Sequence, residues 1–385
     1  MHIPRDLEQP IKNNLKNDLI LIITGARQTG KTSILRNFYF QIKQKHESYF
    51  LNLEDPDYLN NLNEHPLNLF KLTNSSPQNK QFIFIDEIQY LKNPSNFLKL
   101  LYDEYAKTIK LVVTGSSSFY LDKTFKDSLA GRKRIFQCNT LNFKEFLRFQ
   151  HKENILTQPI YKKEKERLFL EYITYGAYPR VILEKDPFMK QQTLLELAND
   201  YIKKDVFESG IKSDEKYFQL MKLLAAQTGS LVNNNELANT LNLSITAIEN
   251  YLYTMQKSFH ISMLKPFHNN IRKELSKMPK AYYLDLGLRN HFLKNFDNIN
   301  IRADKGFFLE NIVFRELILQ QTDLKFWRTQ NKNEVDFIIN EKKALEVKFS
   351  ETDCKMSKYK LFLKEYPHID FQFITFTQVL NIFYP

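Results

Sequence analysis

The stretch Gly25-Ala-Arg-Gln-Thr-Gly30-Lys31-Thr32 decides the fold of the N-terminal part of this chain. It directly follows the apolar run Leu19–Ile23 and precedes a helical pattern that begins at Ser33. A strand, a loop of the form G-x-x-x-x-G-K-[ST] and a helix, in that order, bind phosphate through loop N–H groups and the helix N-terminus. The pattern therefore predicts a nucleotide-binding loop at the end of a buried strand.

The side chains of this loop have separate expected roles. Lys31 is expected to reach the β- and γ-phosphates of ATP, and Thr32 to ligate Mg²⁺. The glycines let backbone N–H groups wrap around the phosphates. The predicted ATP-binding residues are Gly25, Ala26, Arg27, Gln28, Thr29, Gly30, Lys31, Thr32, Ser33 and Thr114.

Three further apolar runs, Ser48–Leu53, Phe82–Ile85 and Lys110–Val113, indicate buried strands. The segments between them are long enough for helices. This alternation predicts βαβ units and a parallel sheet. The predicted fold class is therefore α/β, with an N-terminal P-loop sheet flanked by helices.

Two carboxylates, Asp86 and Glu87, follow the run Phe82–Ile85. Ligands of open α/β sheets bind at the carboxyl ends of strands. We expect Asp86 to hold the Mg²⁺ shell and Glu87 to activate water as a general base. Next to a P-loop, this pair favours ATP hydrolysis over binding alone. Thr114 and Ser116 follow the next strand and are candidates for sensing the γ-phosphate, with an ordinary polar turn as the alternative.

Arg132 and Arg134 are candidates for an arginine finger that acts on ATP of the same chain or of a neighbouring one. The alternative is a basic loop that faces solvent, which is the more frequent role of such charge runs.

The composition is that of a folded, basic chain of 385 residues. A net charge of +11 favours DNA or another polyanion as partner, and a Lys-rich surface without a specific partner is the alternative. No apolar run of about 18 residues indicates a membrane helix. Cys138 and Cys354 are too few for a disulfide framework. We therefore expect a cytoplasmic protein without a membrane partner.

The middle of the chain carries a helix-turn-helix pattern. Asn233 and Ser244 can each cap a helix, one ending at Leu241 and one over residues 245–258. The second helix would present four side chains outward: Thr246, Ala247, Asn250 and Tyr251. None of these is basic, although base readout usually begins at the N-terminal end of such a helix. We therefore expect no base-specific readout.

Two strands, 261–266 and 281–284, would complete a winged helix. The basic residues of the wing are Arg272, Lys273, Lys277 and Lys280. They suit sequence-neutral contacts to DNA phosphates. A winged helix that only mediates domain contacts is the alternative.

Near the C-terminus, two predicted strands flank a turn centred on Glu341. Folding about Glu341 places Asp336 opposite Glu346 and puts Lys348 on the same face, outside the apolar core. Opposed carboxylates suit Mg²⁺ or Mn²⁺, and Lys348 would assist phosphodiester cleavage. Glu310, on an upstream helix, is the candidate third metal ligand. The alternative is a surface ladder of ion pairs, in which Lys348 neutralises Glu334 and Glu346.

Taken in order, these motifs resemble one family, the bacterial and archaeal AAA-type P-loop ATPases that end in a restriction-endonuclease-like domain of unknown function. The resemblance covers nearly the whole chain. It rests on Thr24–Thr32, Phe84–Gln89, Val113–Ser117, Ser128–Arg132, Leu141–Phe146, Gly176–Pro179, Tyr283–Leu288, Phe308–Val313, Arg328, Glu334–Phe337 and Glu346–Lys348. Small departures occur at Gly176-Ala177, Thr140-Leu141 and Asp285–Leu288, away from the ATP site and the C-terminal acids.

The resemblance implies an ATPase core, a winged helix and a nuclease-like end. We expect four parts: an ATPase domain over 1–155, a helical region over 156–228, a winged helix over 229–300 and a restriction-endonuclease-like domain over 301–385. The favoured function is an ATP-hydrolysing, DNA-associated protein. The alternatives are a switch ATPase that acts on a protein partner and has a vestigial nuclease-like domain, and a nuclease that ATP only regulates. Besides ATP and DNA, the candidate partners are another protein or further copies of the chain.

Overall fold

Five parallel strands form the sheet that carries the phosphate-binding loop, in the order β2-β3-β4-β1-β5. The structure is a computed structural model that describes residues 2–76, 78, 80–116, 129–267, 277–320 and 322–385. The strands are β1 Ile20–Thr24, β2 Ser48–Asn52, β3 Gln81–Asp86, β4 Ile109–Gly115 and β5 Lys133–Gln137. The four predicted strands and the α/β class are confirmed, and β5 is an addition.

Helices cover both faces of this sheet. They are α1 Glu8–Asn13, α2 Lys31–Lys43, α3 Pro56–Glu64, α4 Asn68–Leu72 and α5 Pro94–Tyr105. The α2 side chains Ile34 and Phe38 pack in one apolar cluster with alternate side chains of β1. Leu98 of α5 packs in a second cluster with the remaining β1 side chains. Strands buried on both faces must be apolar throughout, which is why they read as continuous hydrophobic runs.

A second, mixed sheet has six strands in the order β11-β10-β9-β8-β6-β7. Its strands are β6 Ile261–Pro266, β7 Lys280–Tyr283, β8 Leu324–Arg328, β9 Glu334–Ile339, β10 Lys343–Lys348 and β11 Asp370–Thr375. The β6–β7 and β8–β9–β10 pairings are antiparallel, whereas β6–β8 and β10–β11 are parallel. The strands predicted for a wing and for a C-terminal hairpin thus belong to one continuous sheet.

The remaining helices follow the first sheet along the chain. They are α6 Phe143–Phe149, α7 Lys162–Tyr175, α8 Pro179–Leu183, α9 Pro187–Glu208, α10 Asp214–Ala226, α11 Asn234–Leu241, α12 Ile245–Lys257, α13 Leu286–Leu293, α14 Lys305–Leu319, α15 Lys360–Glu365 and α16 Phe376–Phe383. Helix α14 packs on the second sheet, with Ile312 and Phe314 in the same apolar cluster as Phe337 and Leu345.

Contacts divide the chain into two compact units. The first consists of Met1–Asn139, Phe207–Gly210 and Lys257–Phe259, and the second contains the rest. Residues 140–155, which we assigned to the ATPase domain, are grouped with the second unit. The finer division into four domains stays a prediction. Within the described ranges, no helix has the length and apolar character needed to cross a membrane.

The two helices predicted for the helix-turn-helix pattern are present as α11 and α12. Asn233 caps α11 by accepting from the Asn235 and Glu236 N–H groups, and Ser244 Oγ accepts from Ala247 N (3.1 Å). One side chain expected to face outward does not: Tyr251 is buried in the core of the second unit, because it packs against Tyr217. Arg272 and Lys273 of the expected wing lie outside the described residues.

Candidate active site

Two glycines give the loop after β1 its shape. Gly25 has φ +149°, and a Cβ there would lie 2.1 Å from the Cys138 carbonyl oxygen. Gly30 has φ +101° and directly precedes α2. Both backbone conformations are ones that residues with a side chain rarely adopt. The loop therefore needs glycine at both positions of the sequence motif.

Lys31 lies folded over this loop. Its Nζ donates to the carbonyls of Gly25 (2.9 Å) and Ala26 (2.8 Å), and the residue is only 5% exposed. Burial lowers the pKa of Lys31, although the nearby carboxylates of Glu87 and Asp86 favour its charged form. A buried ammonium that rests on neutral carbonyls is a fitting partner for phosphate oxygens.

Asp86, at the end of β3, is contacted both from the phosphate-binding loop and from β4. The parallel register places Ile85 beside Val113, so that Asp86 lies next to Thr114. Its Oδ1 accepts from Thr32 Oγ1 (3.2 Å) and, over a shorter distance, from Thr114 Oγ1. Burial raises the pKa of Asp86, while the two hydroxyl groups stabilise its charged form. This set of one carboxylate and two hydroxyls, at the mouth of the phosphate loop, fits Mg²⁺ bound to a nucleotide.

Glu87 adopts a left-handed conformation, with φ 56° and ψ 49°. Such a conformation is costly for a residue with a side chain and tends to occur at functional sites. It is held from two sides: the Glu87 N–H donates to Thr114 Oγ1 (3.0 Å), and the Gln89 side-chain amide donates to the Glu87 carboxylate. The Gln89 oxygen in turn accepts from Ser116 N (3.2 Å). Gln89 lies in the motif Phe84–Gln89, but no local pattern in the sequence indicates this role.

Arg27 of the loop forms an ion pair that the sequence does not indicate. Its Nη2 lies 2.6 Å from Glu208 Oε1, within the segment Phe207–Gly210 that belongs to the first unit. Both side chains are largely buried. The two residues are 181 positions apart, so no local pattern could have paired them.

The two arginine-finger candidates lie at the other end of the sheet. Arg134 pairs with Leu21 in the parallel β1–β5 register, whereas the phosphate loop begins after Thr24, beside Gln137. Arg132 bonds Asp103 (2.6 Å), and Arg134 bonds Asn14. At ~3.3 Å per residue, the strand separates the loop from Arg134 by about 10 Å and from Arg132 by about 16 Å. Neither residue is therefore placed to act on the ATP of the same chain, and a role on the ATP of a neighbouring chain stays a prediction.

In the second unit, the predicted register of the C-terminal hairpin is confirmed. Leu345 lies opposite Phe337, which puts Glu346 beside Asp336. Val347 N donates to Asp336 Oδ2 (2.9 Å), and Asp336 N donates to Glu346 Oε2 (3.3 Å). The expectation that this face lies outside the core is wrong: Asp336 is 7% and Glu346 4% exposed, and they are contacted by the side chains of Lys280 and Tyr359.

Lys280 lies inside this acidic cluster. Its Nζ lies 2.5 Å from Glu334 Oε1, 2.9 Å from Glu310 Oε1 and 3.7 Å from Asp336 Oδ1, and the side chain is 1% exposed. The expected role of Lys280 in a DNA-binding wing is therefore wrong, because its ammonium is not accessible. Among the residues that the structure describes, no group of three or more His, Cys, Asp or Glu side chains is arranged to hold a metal ion.

The electrostatics of the cluster follow from burial and repulsion. Burial and the neighbouring Asp336 raise the pKa of Glu310 to about 7 and that of Glu346 to about 8. Burial opposes the charge of Lys280, but Glu310, Asp336 and Glu334 outweigh it and raise the Lys280 pKa. Lys348 contacts Glu346, which also accepts from Tyr359 Oη (2.7 Å). A protein ammonium thus supplies the positive charge at the point where the carboxylates converge.

Comparison with known proteins identifies the first unit. Residues 17–147 match the family described as AAA domain, and residues 166–298 and 305–378 match two domains of unknown function, DUF8612 and DUF4143. The chain is 30% identical over 353 residues to uncharacterized protein MJ1544 of Methanocaldococcus jannaschii, covering 88% of this chain and 75% of that protein. The chain belongs to the MJ1544 family. Its N-terminal unit is an AAA-type P-loop ATPase domain.

Other relatives of this MJ1544-family protein include an uncharacterized protein of Haemophilus influenzae, 28% identical over 333 residues, covering 83% of this chain and 79% of that one. Among solved structures, Aeropyrum pernix ORC1 in complex with DNA aligns with a TM-score of 0.36 and 10% identity, over 75% of this chain and 91% of that chain. A structural similarity with so low a TM-score does not support a conclusion about function. The winged-helix and restriction-endonuclease-like assignments stay predictions.

Proposed function

We propose that this protein hydrolyses ATP at the loop of residues 25–32, with Mg²⁺ held by Thr32 and Asp86. The observation that carries the proposal is the convergence of the Thr32 and Thr114 hydroxyls on one oxygen of Asp86. That convergence joins the loop, β3 and β4 at one point. When bound, MgATP would supply the phosphoanhydride and the metal charge that make its γ-phosphate reactive to water.

The residues of the chain divide the remaining tasks. Lys31 would exchange its two carbonyl partners for phosphate oxygens and stabilise negative charge during transfer. Thr114 donates to Asp86 and accepts from the Glu87 N–H group, so it fixes both acidic residues relative to one another. Glu87, half-buried and oriented by Gln89, would accept a proton from the attacking water.

The proposal is tested by comparing Lys31→Ala with Lys43→Ala, an exposed lysine at the far end of the same helix. We expect Lys31→Ala to lose phosphate release and to weaken binding of a fluorescent ATP analogue, while Lys43→Ala behaves as wild type. Unchanged phosphate release in Lys31→Ala would refute hydrolysis at this loop.

DNA association is a second candidate, supported by the net charge of +11 and by the exposed Thr246 and Asn250 of α12. The basic residues predicted for the wing support DNA association less than expected, because Lys280 is buried and Lys277 donates to the Arg328 carbonyl (3.3 Å). Fluorescence anisotropy with labelled duplex and single-stranded DNA, at several salt concentrations, tests it. The rival, a switch that acts on a protein partner, predicts no salt-sensitive DNA binding.

Cleavage by the C-terminal acids is the weakest of the predicted activities. Glu310, Asp336, Glu346 and Lys348 do cluster, but the ammonium of Lys280 lies among these acids where a divalent ion would be needed. Incubation with plasmid and single-stranded DNA, in Mg²⁺ or Mn²⁺ and with or without ATP, decides the question. We expect intact DNA; cleavage lost in Asp336→Asn would restore the nuclease assignment.

A further inference from the structure

A guanidinium group from the N-terminal segment lies against the back of the phosphate-binding loop. Arg5 is 7% exposed, and its Nη1 donates to the Thr29 carbonyl (2.7 Å). Its Nη2 donates to the Asn139 carbonyl (2.9 Å), just beyond β5. One side chain thus joins the chain's beginning, the loop and the strand next to the loop. A planar fork with separate donors suits such a bridge better than the single ammonium of lysine.

The segment that carries Arg5 is itself anchored to the P-loop helix. Glu8 Oε1 accepts from the Arg5 backbone N–H (2.7 Å), and Glu8 Oε2 accepts from Asn37 Nδ2 (2.8 Å) on α2. His2 Nε2 also lies 2.8 Å from Glu8 Oε1. The Arg5 guanidinium is therefore held at both ends, through its backbone and through its two nitrogens.

The carbonyls of the loop are held by two different cations. Lys31 holds those of Gly25 and Ala26, and this is the side chain that the motif directs at phosphate. The Thr29 carbonyl is instead held by Arg5, and also by Cys138 Sγ (3.4 Å). When Lys31 turns to a phosphate, it loses its contacts with the loop carbonyls. Arg5 can keep its contact with the Thr29 carbonyl at the same time.

We propose that Arg5 is a positioning residue for nucleotide binding: by holding the Thr29 carbonyl, it orients the peptide that joins Thr29 to Gly30. In a planar trans peptide the C=O and N–H groups point in opposite directions. The Gly30 N–H is therefore directed away from Arg5, toward the side of the loop that receives phosphate. The inference rests on the proposed ATP site and adds a residue to it from outside the motif.

Glycine makes this restraint useful. Gly30 populates left- and right-handed conformations with similar ease, so the Thr29–Gly30 peptide can flip at low cost in a free loop. Each alternative orientation removes one N–H group from the phosphate site. Arg5 lowers that freedom before the ligand arrives, and a site that is ordered in advance binds more tightly.

The test compares Arg5→Ala, Arg5→Lys and the control Gln9→Ala, an exposed residue of the same segment whose side chain bonds Asn13 (2.8 Å). Affinities for ATP and ADP, amide hydrogen exchange of residues 25–33 without nucleotide, and the melting temperature are measured for each. We expect Arg5→Ala to bind both nucleotides about tenfold more weakly, the size of one charge-assisted hydrogen bond. Exchange of the loop should rise in Arg5→Ala, be intermediate in Arg5→Lys and stay unchanged in Gln9→Ala.

The inference is overturned if Arg5→Ala and Arg5→Lys bind nucleotide as wild type does, with unchanged loop exchange. It is also overturned if exchange rises uniformly over the unit together with a lower melting temperature, since Arg5 would then only stabilise the fold. Should the wild-type protein bind no ATP, the proposed function fails by itself. Loop exchange in Arg5→Ala would then still decide whether Arg5 orders the loop.

Discussion

Thr114 shows how a single hydroxyl can organise the ATP site. It donates to Asp86 and accepts from the backbone N–H of Glu87, a residue in a strained left-handed conformation. We expected Thr114 to sense the γ-phosphate, yet its proton is used internally to hold an acid. Its proposed effect on catalysis therefore passes through Asp86 and Glu87.

Thr114→Val keeps the shape of the side chain but removes the hydroxyl. We expect phosphate release to fall roughly ten- to a hundredfold, the equivalent of about 1.5–3 kcal/mol for a hydrogen bond to a charged group. ATP affinity should change little, because the loop is untouched. Thr114→Ser restores the hydroxyl and is the matched control. Equal turnover of the Val and Ser variants would show that the hydroxyl has no such role.

The sequence predicted the residues whose roles are tied to a local motif, and it missed those that the fold brings in from afar. Gly25, Lys31 and Asp86 each sit in a recognisable strand-and-loop context. Arg5 and Lys280 reach their sites only through tertiary structure: Arg5 acts 24 positions from Thr29, and Lys280 lies 30 positions from Glu310. Lysine is usually exposed, so nothing local marked Lys280 as buried.

At the scale of secondary structure, the buried strands were the easiest to predict and the edge strand the hardest. Strands β1, β3 and β4 are buried throughout and appear as apolar runs. In β5 only Phe136 is buried, so the basic stretch around it looked like a solvent loop. The second sheet could not be predicted as one sheet, because β6 and β8 are separated by the whole of α13 and α14.

Lys280 links the strand β7 to helix α14 and strand β9, and its removal should be costly. Lys280→Met leaves Glu310, Glu334 and Asp336 without their shared cation. We expect a loss of about 3–5 kcal/mol in the free energy of unfolding, as is usual when one partner of a buried ion pair is removed. Lys277→Met, three residues earlier and less buried, is the control.

Urea unfolding of both variants measures this difference. A loss below about 1 kcal/mol would mean that Lys280 is not the cation of the cluster. If Mn²⁺ or Mg²⁺ stabilised the second unit of the wild-type protein, this too would contradict the role of Lys280, because we expect no divalent ion in the cluster.

A second ion-pair cluster, of two buried guanidinium groups and one partly exposed carboxylate, connects α13 to the start of α14. Asp304 bonds Arg289 and Arg302, each at 2.8 Å. Burial would raise the pKa of Asp304, but the two guanidinium groups outweigh it and lower this pKa to about 2. The stabilisation from Asp304 is therefore complete above its unfolded pKa of ~3.9 and is lost as the pH falls through about 2.

Asp304→Asn tests this pH dependence. Near neutral pH the variant should be less stable than wild type by roughly 1–2 kcal/mol, allowing for partial exposure of the carboxylate. The difference should shrink as the pH falls below about 4. Unfolding free energies of both proteins between pH 6 and pH 2.5 provide the measurement, and a pH-independent difference would contradict the assignment.

For the molecule as a whole, the charge of +11 predicts that any DNA binding is mainly electrostatic. We expect the triple variant Arg272→Ala, Lys273→Ala, Lys277→Ala to reduce the slope of log K against log salt by about one for each lost phosphate contact. The control is Lys43→Ala, which lies on the ATPase helix α2. If the slope is unchanged in the triple variant, DNA binds at another surface of the protein, or the switch ATPase is the better account.

The most direct test of the account is Glu87→Gln in the chain of 385 residues. ATP binding should stay within about threefold of wild type, because the loop and Asp86 are unchanged, while phosphate release should fall at least about a hundredfold with the loss of the general base. Binding by fluorescence and phosphate release by a coupled assay are measured on the same preparation. Near-normal phosphate release in Glu87→Gln would contradict the central claim that this carboxylate activates water at the ATP site.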